Sequence, residues 1–253
     1  PGDAAAWDAL PLPALRLVLS GGAPIAPAVV ARVLDFFGCD YAQTYGLTET
    51  SPYLTLSLPG PGEAPFAAEE RLERISRTGR AFGGVGLQVV DETGLPVAQD
   101  DRTVGEIWAQ GPTVTPGYWN HPEATRAAFE GAWLRTGDLA TWDARGSLRI
   151  VDRKKDVILS GGETVYSTEV EAALLAHPDV LEAAAYGVPS EAWGEEVRAA
   201  VVWKPGAPGD PAALNGFLRE RLAGFKCPKV LSILDELPKT SSGKIKKRDL
   251  RQG

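Results

Sequence analysis

Residues 15–46 read LRLVLSGGAPIAPAVVARVLDFFGCDYAQTYG, and their punctuation decides the fold class. Leu15–Leu19 is a short apolar run that stops at Ser20-Gly21-Gly22-Ala23-Pro24. This predicts a buried strand entering a Gly/Pro loop. A helix should follow. Pro27 suits its first turn, Val29, Val30, Val33, Leu34 and Phe37 form one stripe, and Gly38 supplies the stop. Cys39–Thr44 reads as a second strand that ends at Tyr45-Gly46. Strand, loop, helix, strand is the grammar of an α/β domain, with both loops at one sheet edge.

Working outward, residues 52–78 carry Pro59, Pro61, Pro65 and the charged stretch Glu69–Arg74, and are expected to be loop-rich. From Val85 to Val151 short strands (Val85–Val90, Val104–Ala109, Ser147–Val151) alternate with Gly and Pro turns. That pattern suggests a small β-barrel or sheet subdomain. After Asp152 a third pattern begins. Thr168-Glu169-Val170-Glu171 reads as a capping box opening a helix towards His177-Pro178. Strands at Val180–Val188 and Val197–Trp203 follow. Asp210-Pro211 opens a helix with Leu214, Phe217, Leu218 and Leu222 on one face, and Val230–Leu234 is a last strand. This α+β unit of about a hundred residues has the size of a separate domain.

Composition narrows the function classes. The chain has 253 residues, 44% hydrophobic and 23% charged, which argues against disorder. Its formal charge of −7 makes a general nucleic-acid binder a poor fit. The 28 glycines and 20 prolines, about a fifth of the chain, predict many backbone-shaped sites. Cys39 and Cys227 are far apart and lack a CxxC partner. They fit a reducing cytoplasm and argue against a disulfide scaffold or zinc site. No apolar run is long enough for a transmembrane segment, and the sequence shows no signal-peptide pattern.

Common catalytic signatures are absent. There is no GxxxxGK[ST] loop, no GxGxxG after a strand and no GxSxG elbow. His121 and His177 are far apart and each precedes a proline, which disfavours a histidine triad or metal cluster.

Four polar clusters remain. In Gln43–Thr50, Tyr45 offers an aromatic face, Gly46 close approach, Thr48 a hydroxyl for phosphate and Glu49 a carboxylate for Mg²⁺. The alternative is a strand-end turn with Thr48 as a helix cap. In Thr136-Gly137-Asp138, an Asp held by a Gly turn can accept two ribose hydroxyls, or can be a plain Asp turn. Asp152–Asp156, with Arg153, Lys154 and Lys155, sits where the pattern changes, followed by Ser160-Gly161-Gly162-Glu163; the alternative is a solvated charged linker. Pro238–Ile245 places Lys244 behind a Ser/Gly loop, where it can reach an anionic transition state; the alternative is a disordered basic tail.

In this order and spacing the clusters resemble the adenylate-forming enzymes: acyl-CoA synthetases, luciferases and peptide-synthetase adenylation domains. The likeness also draws on Ser20–Pro24, Gly105-Glu106-Ile107 and Gly117-Tyr118-Trp119-Asn120, and runs through the whole chain. Within the family, Tyr186–Pro189, Trp193-Gly194-Glu195 and Phe225–Lys229 look like bacterial fatty-acyl-CoA ligases. Arg80-Ala81-Phe82-Gly83 departs from the family's Arg-Pro-x-Pro, and Cys227 stands where some relatives carry Arg.

The resemblance implies an α/β fold: the end of a large AMP-binding domain (1–153) with a β-barrel part, then a small mobile α+β domain (154–253) hinged near Lys155. It implies that a carboxylate attacks the α-phosphate of ATP, and that a CoA or carrier-protein thiol then displaces AMP. Gly22, Ala23, Pro24, Tyr45 and Gly46 would surround the adenine. Thr48 would touch phosphate, Glu49 would hold Mg²⁺, and Asp138 with Arg153 would bind the ribose. Gly161, Gly162 and Glu163 would line the pantetheine tunnel, Phe225 and Lys229 would border the CoA nucleotide, and Lys244 would bridge the carboxylate and the α-phosphate. The family's Ser/Thr/Gly-rich loop ending in Pro-Lys-Gly does not occur in these residues. The chain is therefore expected to be the second half of an enzyme, inactive without an N-terminal half. A non-catalytic nucleotide-binding or partner module is the competing expectation.

Overall fold

The computed structural model describes residues 12, 14–23, 25–60, 63–81, 83–241 and 243–252. The chain divides into two compact units, one ending at Ile150 and one beginning at Val151.

The first unit opens as the sequence suggests. Strand β1 (Leu17–Ser20) is parallel to β2 (Asp40–Gly46), with Leu17 opposite Asp40 and Ser20 opposite Gln43. Helix α1 (Pro27–Phe37) connects them, with Pro at its start. Gly38 ends it in the left-handed region (φ 60°), and the Gly38 N–H donates to the Leu34 carbonyl at 2.9 Å. The apolar stripe is narrower than its spacing suggests: Val30 is fully buried, Val33 and Leu34 pack beside it, and Val29 is exposed.

Residues 52–78 hold more structure than their prolines imply. Strand β3 (Tyr53–Leu56) pairs with β2, and helix α2 (Ala68–Ser76) covers the charged stretch. Two i,i+4 ion pairs run along this segment, Arg74–Glu70 at 3.6 Å and Arg77–Glu73 at 3.1 Å. Ile75 packs with Val30 and Tyr41. Strand β4 (Arg80–Ala81) completes a sheet of order β1-β2-β3-β4.

A second sheet holds β5 (Gly86–Val90), β6 (Gly105–Gln110), β7 (Phe129–Glu130), β8 (Trp133–Trp142) and β9 (Leu148–Arg153). Helix α3 (Pro122–Ala128) precedes β7. Tyr45 and Leu54 of the first sheet share one core with Val89, Ile107, Ala109, Ala140 and Leu148 of the second.

The second unit is built on a sheet of β10 (Ile158–Ser160), β11 (Glu163–Val165), β12 (Val180–Ser190), β13 (Gly194–Trp203) and β14 (Val230–Ile233). Alternate residues of its central strands serve two cores. Ala183, Ala185, Val197, Ala199 and Val201 face helices α4 (Ser167–Leu175) and α5 (Pro211–Arg219). Ala184, Tyr186, Ala200 and Val202 meet Leu237, with Ile245 and Leu250 beside them. Leu250 ends helix α6 (Lys247–Leu250).

Asp210 caps α5 as its position predicts, accepting from the Ala212 N–H at 2.8 Å. The capping box does not form at α4. Tyr166 is the N-cap, the Thr168 hydroxyl donates to the Val151 carbonyl, and Glu171 accepts from the Ala185 N–H at 3.0 Å. Tertiary partners outcompete the local motif.

Candidate functional site

Because β1 and β2 are parallel, the loops that follow them leave at one end of the sheet. Side chains of β2 fasten the first loop. Gln43 Nε2 donates to the Ala23 carbonyl at 2.8 Å, and Thr44 Oγ1 to the Ser20 carbonyl at 3.2 Å. Two glycines are required by space: a Cβ at Gly21 would strike the Thr44 hydroxyl, and one at Gly46 would overlap the Pro52 carbonyl. Gly22 is left-handed (φ 88°), with room around it. Pro24 lies outside the described residues.

After β2 the chain makes a short 3₁₀ turn, Thr48–Thr50. Thr48 is exposed, and the cap read for it belongs to Thr50, whose hydroxyl bonds the Leu47 N–H and the Pro52 carbonyl. Thr48 is thereby left at the surface, where a phosphate oxygen could meet it. Glu49 is half-buried. The Tyr118 hydroxyl donates to Glu49 Oε1 at 2.8 Å, and the Thr115 N–H donates to the Glu49 carbonyl at 2.7 Å. The carboxylate holds the Tyr118 hydroxyl proton and raises its pKa. Tyr118 belongs to a recognised motif, yet nothing local in the sequence pairs it with a residue 69 positions upstream.

Thr136-Gly137-Asp138 is no terminal turn; it lies inside the ten-residue β8. The β6–β8 register pairs Glu106 with Leu139 and Trp108 with Arg135, so these three residues stand opposite Ile107 alone. The excess forms a bulge, a device that re-aims a side chain out of a ladder. Gly137 takes the left-handed conformation it needs (φ 72°). The backbone groups taken out of the ladder find side chains instead. Thr136 Oγ1 donates to the Ile107 carbonyl at 2.7 Å, the Gly137 N–H donates to Glu106 Oε1 at 3.1 Å, and the Asp138 N–H donates to Thr136 Oγ1 at 3.2 Å.

The bulge delivers Asp138 to Tyr45. The Tyr45 hydroxyl donates to Asp138 Oδ2 at 2.8 Å, with both side chains buried. An aromatic ring and a carboxylate 93 positions apart therefore meet at the loop end of the first sheet. Such a pair can take a purine by its face and a ribose by its hydroxyls.

Among the described residues no three His, Cys, Asp or Glu side chains form a metal cage. Mg²⁺ requires none, because it retains water, takes phosphate oxygens and uses one or two protein carboxylates. Glu49, steadied by Tyr118, fits that donor set. The histidines are placed otherwise: His177 accepts from the Asp179 N–H at 3.2 Å and packs edge-on against Phe217, and His121 stands before α3.

In the second unit, Arg153, Lys154 and Lys155 are exposed on a segment anchored by its acidic neighbours. Buried Asp152 accepts from the Ser167 N–H at 2.5 Å and its hydroxyl at 3.0 Å, and Asp156 pairs with Arg251 at 3.0 Å. Gly161 and Gly162 form the two-residue turn of the β10–β11 hairpin, both left-handed (φ 62° and 83°). The Gly161 N–H donates to the Trp193 carbonyl at 2.8 Å, and Lys229 Nζ lies 5.4 Å from the centre of the Trp193 ring. Gly161, Trp193 and Lys229 thus form one exposed surface; Glu163 sits at the hairpin exit and Phe225 is half-exposed. Trp193 had no assigned role, although its ring is what the hairpin glycine and Lys229 share.

Lys244 is exposed, and its backbone is tied to Thr240. Lys239 bridges to Ile245, the Thr240 N–H donates to the Lys244 carbonyl at 2.8 Å, and the Lys244 N–H donates to Thr240 Oγ1 at 3.1 Å. After it, α6 is pinned by Lys247, which pairs with Glu171 at 2.7 Å and donates to the Ser167 hydroxyl at 2.6 Å.

Comparison with known proteins places the chain in a family. The family model for AMP-binding enzymes matches residues 2–119, and that for the AMP-binding enzyme C-terminal domain matches residues 169–244. A 2-succinylbenzoate–CoA ligase of Geobacillus kaustophilus is 41% identical over 237 residues, 94% of this chain and 46% of the relative. A long-chain-fatty-acid–CoA ligase of Thermus thermophilus is 39% identical over 243 residues, 95% of this chain and 44% of the relative. Among solved structures, o-succinylbenzoate CoA synthetase from Bacillus subtilis, in complex with its acyl-adenylate intermediate, superposes with TM-score 0.83 at 31% identity. That match covers 96% of this chain and 47% of the other. The chain spans about half the length of the curated relatives it matches. With both family models matched in order and the fold shared, the chain belongs to the AMP-binding enzymes, the adenylate-forming superfamily.

Proposed function

We propose that this chain is part of an ATP-dependent acyl-CoA ligase that activates a carboxylic acid, a fatty acid in our reading, as its acyl-adenylate and passes it to the CoA thiol. The observation that carries the proposal is the buried hydrogen bond from Tyr45 to Asp138. It puts an aromatic face beside a carboxylate at the carboxyl end of a parallel strand pair, the edge at which nucleotides bind in open α/β folds. The relatives named above are CoA ligases acting on different acids, and one is a long-chain-fatty-acid ligase.

In the first step a carboxylate oxygen attacks the α-phosphorus of ATP and pyrophosphate leaves. Tyr45 stacks on the adenine, with Gly22, Ala23, Pro24 and Gly46 allowing close approach, and Asp138 with Arg153 takes the ribose hydroxyls. Thr48 donates to a phosphate oxygen, and Glu49 holds Mg²⁺, which when bound neutralises phosphate charge. Lys244 sits between the carboxylate and the α-phosphate, where negative charge develops, so it stabilises the transition state more than the ground state. In the second step the CoA thiolate attacks the acyl carbon and AMP leaves. An acyl-phosphate anhydride is already activated, so no histidine is needed. Gly161, Gly162 and Glu163 line the pantetheine path, and Phe225 and Lys229 border the CoA nucleotide. Lys155, exposed next to anchored Asp156, is the hinge on which the second unit turns between steps.

The experiment is carboxylate-dependent exchange of pyrophosphate into ATP. The full-length protein should exchange, with fatty acids as the preferred acids; these 253 residues alone should not, because they contain no Pro-Lys-Gly phosphate loop. Exchange without a carboxylate, or robust exchange by the 253 residues alone, would contradict the proposal. The widely separated free cysteines support a cytoplasmic setting, and no helix among the described residues is long and apolar enough to cross a membrane.

A further inference from the structure

We infer that Glu106 is a positioning residue for the nucleotide site, setting the preference for a ribose over a deoxyribose through the bulge that carries Asp138. The inference rests on the ribose-binding role proposed for Asp138 and extends it to a residue with no assigned function.

The geometry gives Glu106 this task. It is buried in the middle of the second sheet, where a carboxylate is expensive unless bonded. Strand β8 carries three residues opposite the single Ile107, so the Gly137 N–H cannot join the ladder. Glu106 Oε1 accepts it at 3.1 Å. Thr136 performs the parallel service one residue earlier, donating to the Ile107 carbonyl at 2.7 Å and accepting from the Asp138 N–H at 3.2 Å. Glu106 thus fixes the residue before Asp138, Thr136 fixes the Asp138 backbone, and Tyr45 fixes the carboxylate at 2.8 Å. With all three in place, Asp138 is held ready for the sugar rather than collapsing onto an unpaired backbone N–H. Bidentate contact with two vicinal hydroxyls tolerates little angular error, so slackening the bulge should be felt most by a nucleotide that presents both hydroxyls and least by one that lacks either.

The test uses the full-length protein and compares affinity for ATP, 2′-deoxy-ATP and 3′-deoxy-ATP by calorimetry, with folding checked by circular dichroism. Glu106→Gln keeps an acceptor oxygen at the same reach, and its preference for ATP should stay within about twofold of wild type. Glu106→Asp withdraws the acceptor by one methylene, and should weaken ATP about tenfold while changing the deoxynucleotides little. The ATP preference should then collapse towards one. Thr136→Val removes the neighbouring anchor and should reduce the preference in the same sense, which keeps the inference testable if Glu106→Asp fails to fold. Full ATP preference in folded Glu106→Asp or Thr136→Val overturns the inference, as does a loss in Glu106→Gln equal to that in Glu106→Asp. A wild-type protein that binds ATP and both deoxynucleotides equally would instead refute the ribose role of Asp138 itself.

Discussion

Tyr45→Phe removes one oxygen atom and separates the two tasks assigned to this residue. The ring remains, so adenine stacking should survive. What is lost is the hydroxyl that donates to Asp138 Oδ2 at 2.8 Å, between side chains only 7% and 6% exposed. A hydrogen bond to a charged group contributes about 1.5–3 kcal/mol, and a buried acceptor that loses its donor retains its desolvation penalty. Urea denaturation should therefore show a loss of about 2 kcal/mol for the unit containing Tyr45. ATP affinity should fall about three- to tenfold as Asp138 loosens, since 1.4 kcal/mol is tenfold. Tyr45→Leu should weaken ATP further, because base–aromatic stacking contributes about 1–3 kcal/mol. Calorimetric titration of the full-length variants with ATP and adenosine checks both. A Tyr45→Phe protein equal to wild type in stability and ATP affinity would refute the coupling of ring and carboxylate. Equal ATP affinity for Phe and Leu would refute stacking.

The remaining predictions concern three other contacts. Lys247→Met leaves the partly buried Glu171 carboxylate with the Ala185 N–H but without its cation, and should destabilise the second unit by about 2 kcal/mol at pH 7, measured by urea unfolding. Burial raises the Glu171 pKa, against the pull of Lys247, so this group favours the folded state most below its unfolded value of 4.5 and less as pH rises through its folded value. The Lys247→Met defect should accordingly shrink at pH 4.5 and below. Arg80 holds the exposed Glu63 carboxyl at a pKa of about 2, and Arg80→Gln should return it towards the ordinary value of 4.5, read by carbon-13 NMR. Lys244→Ala should slow adenylation about 10²–10³-fold. It should leave thioester formation from supplied acyl-adenylate nearly unchanged; equal slowing of both steps would remove Lys244 from its role.

What was legible in the sequence is what short-range chemistry determines. Pro27 and Gly38 bracket α1, and Asp210-Pro211 opens α5, because each acts on neighbouring backbone. In residues 52–78 the prolines lie outside the helix Ala68–Ser76, so proline density hides a helix that charge spacing reveals. The Glu70–Arg74 and Glu73–Arg77 pairs were already visible as a helix signal. Thr168 and Glu171 matched a capping box, but the sequence cannot show that Val151 and Lys247 compete for them. The same limit governs the site. The sequence shows Asp138 behind a glycine; that the glycine makes a bulge depends on the register with β6, and that Glu106 holds it depends on a contact across 31 positions. Residue types were readable, and the tertiary partners that orient them were not.

The most direct test of the acyl-adenylate pathway follows an oxygen atom. The full-length protein is incubated with an ¹⁸O-carboxylate fatty acid, ATP, Mg²⁺ and CoA, and the products are analysed by mass spectrometry. Attack of the carboxylate on the α-phosphorus followed by thiol displacement of AMP predicts one ¹⁸O in AMP and none in pyrophosphate. Label in inorganic phosphate with ADP as coproduct, or unlabelled AMP alongside acyl-CoA, would contradict it.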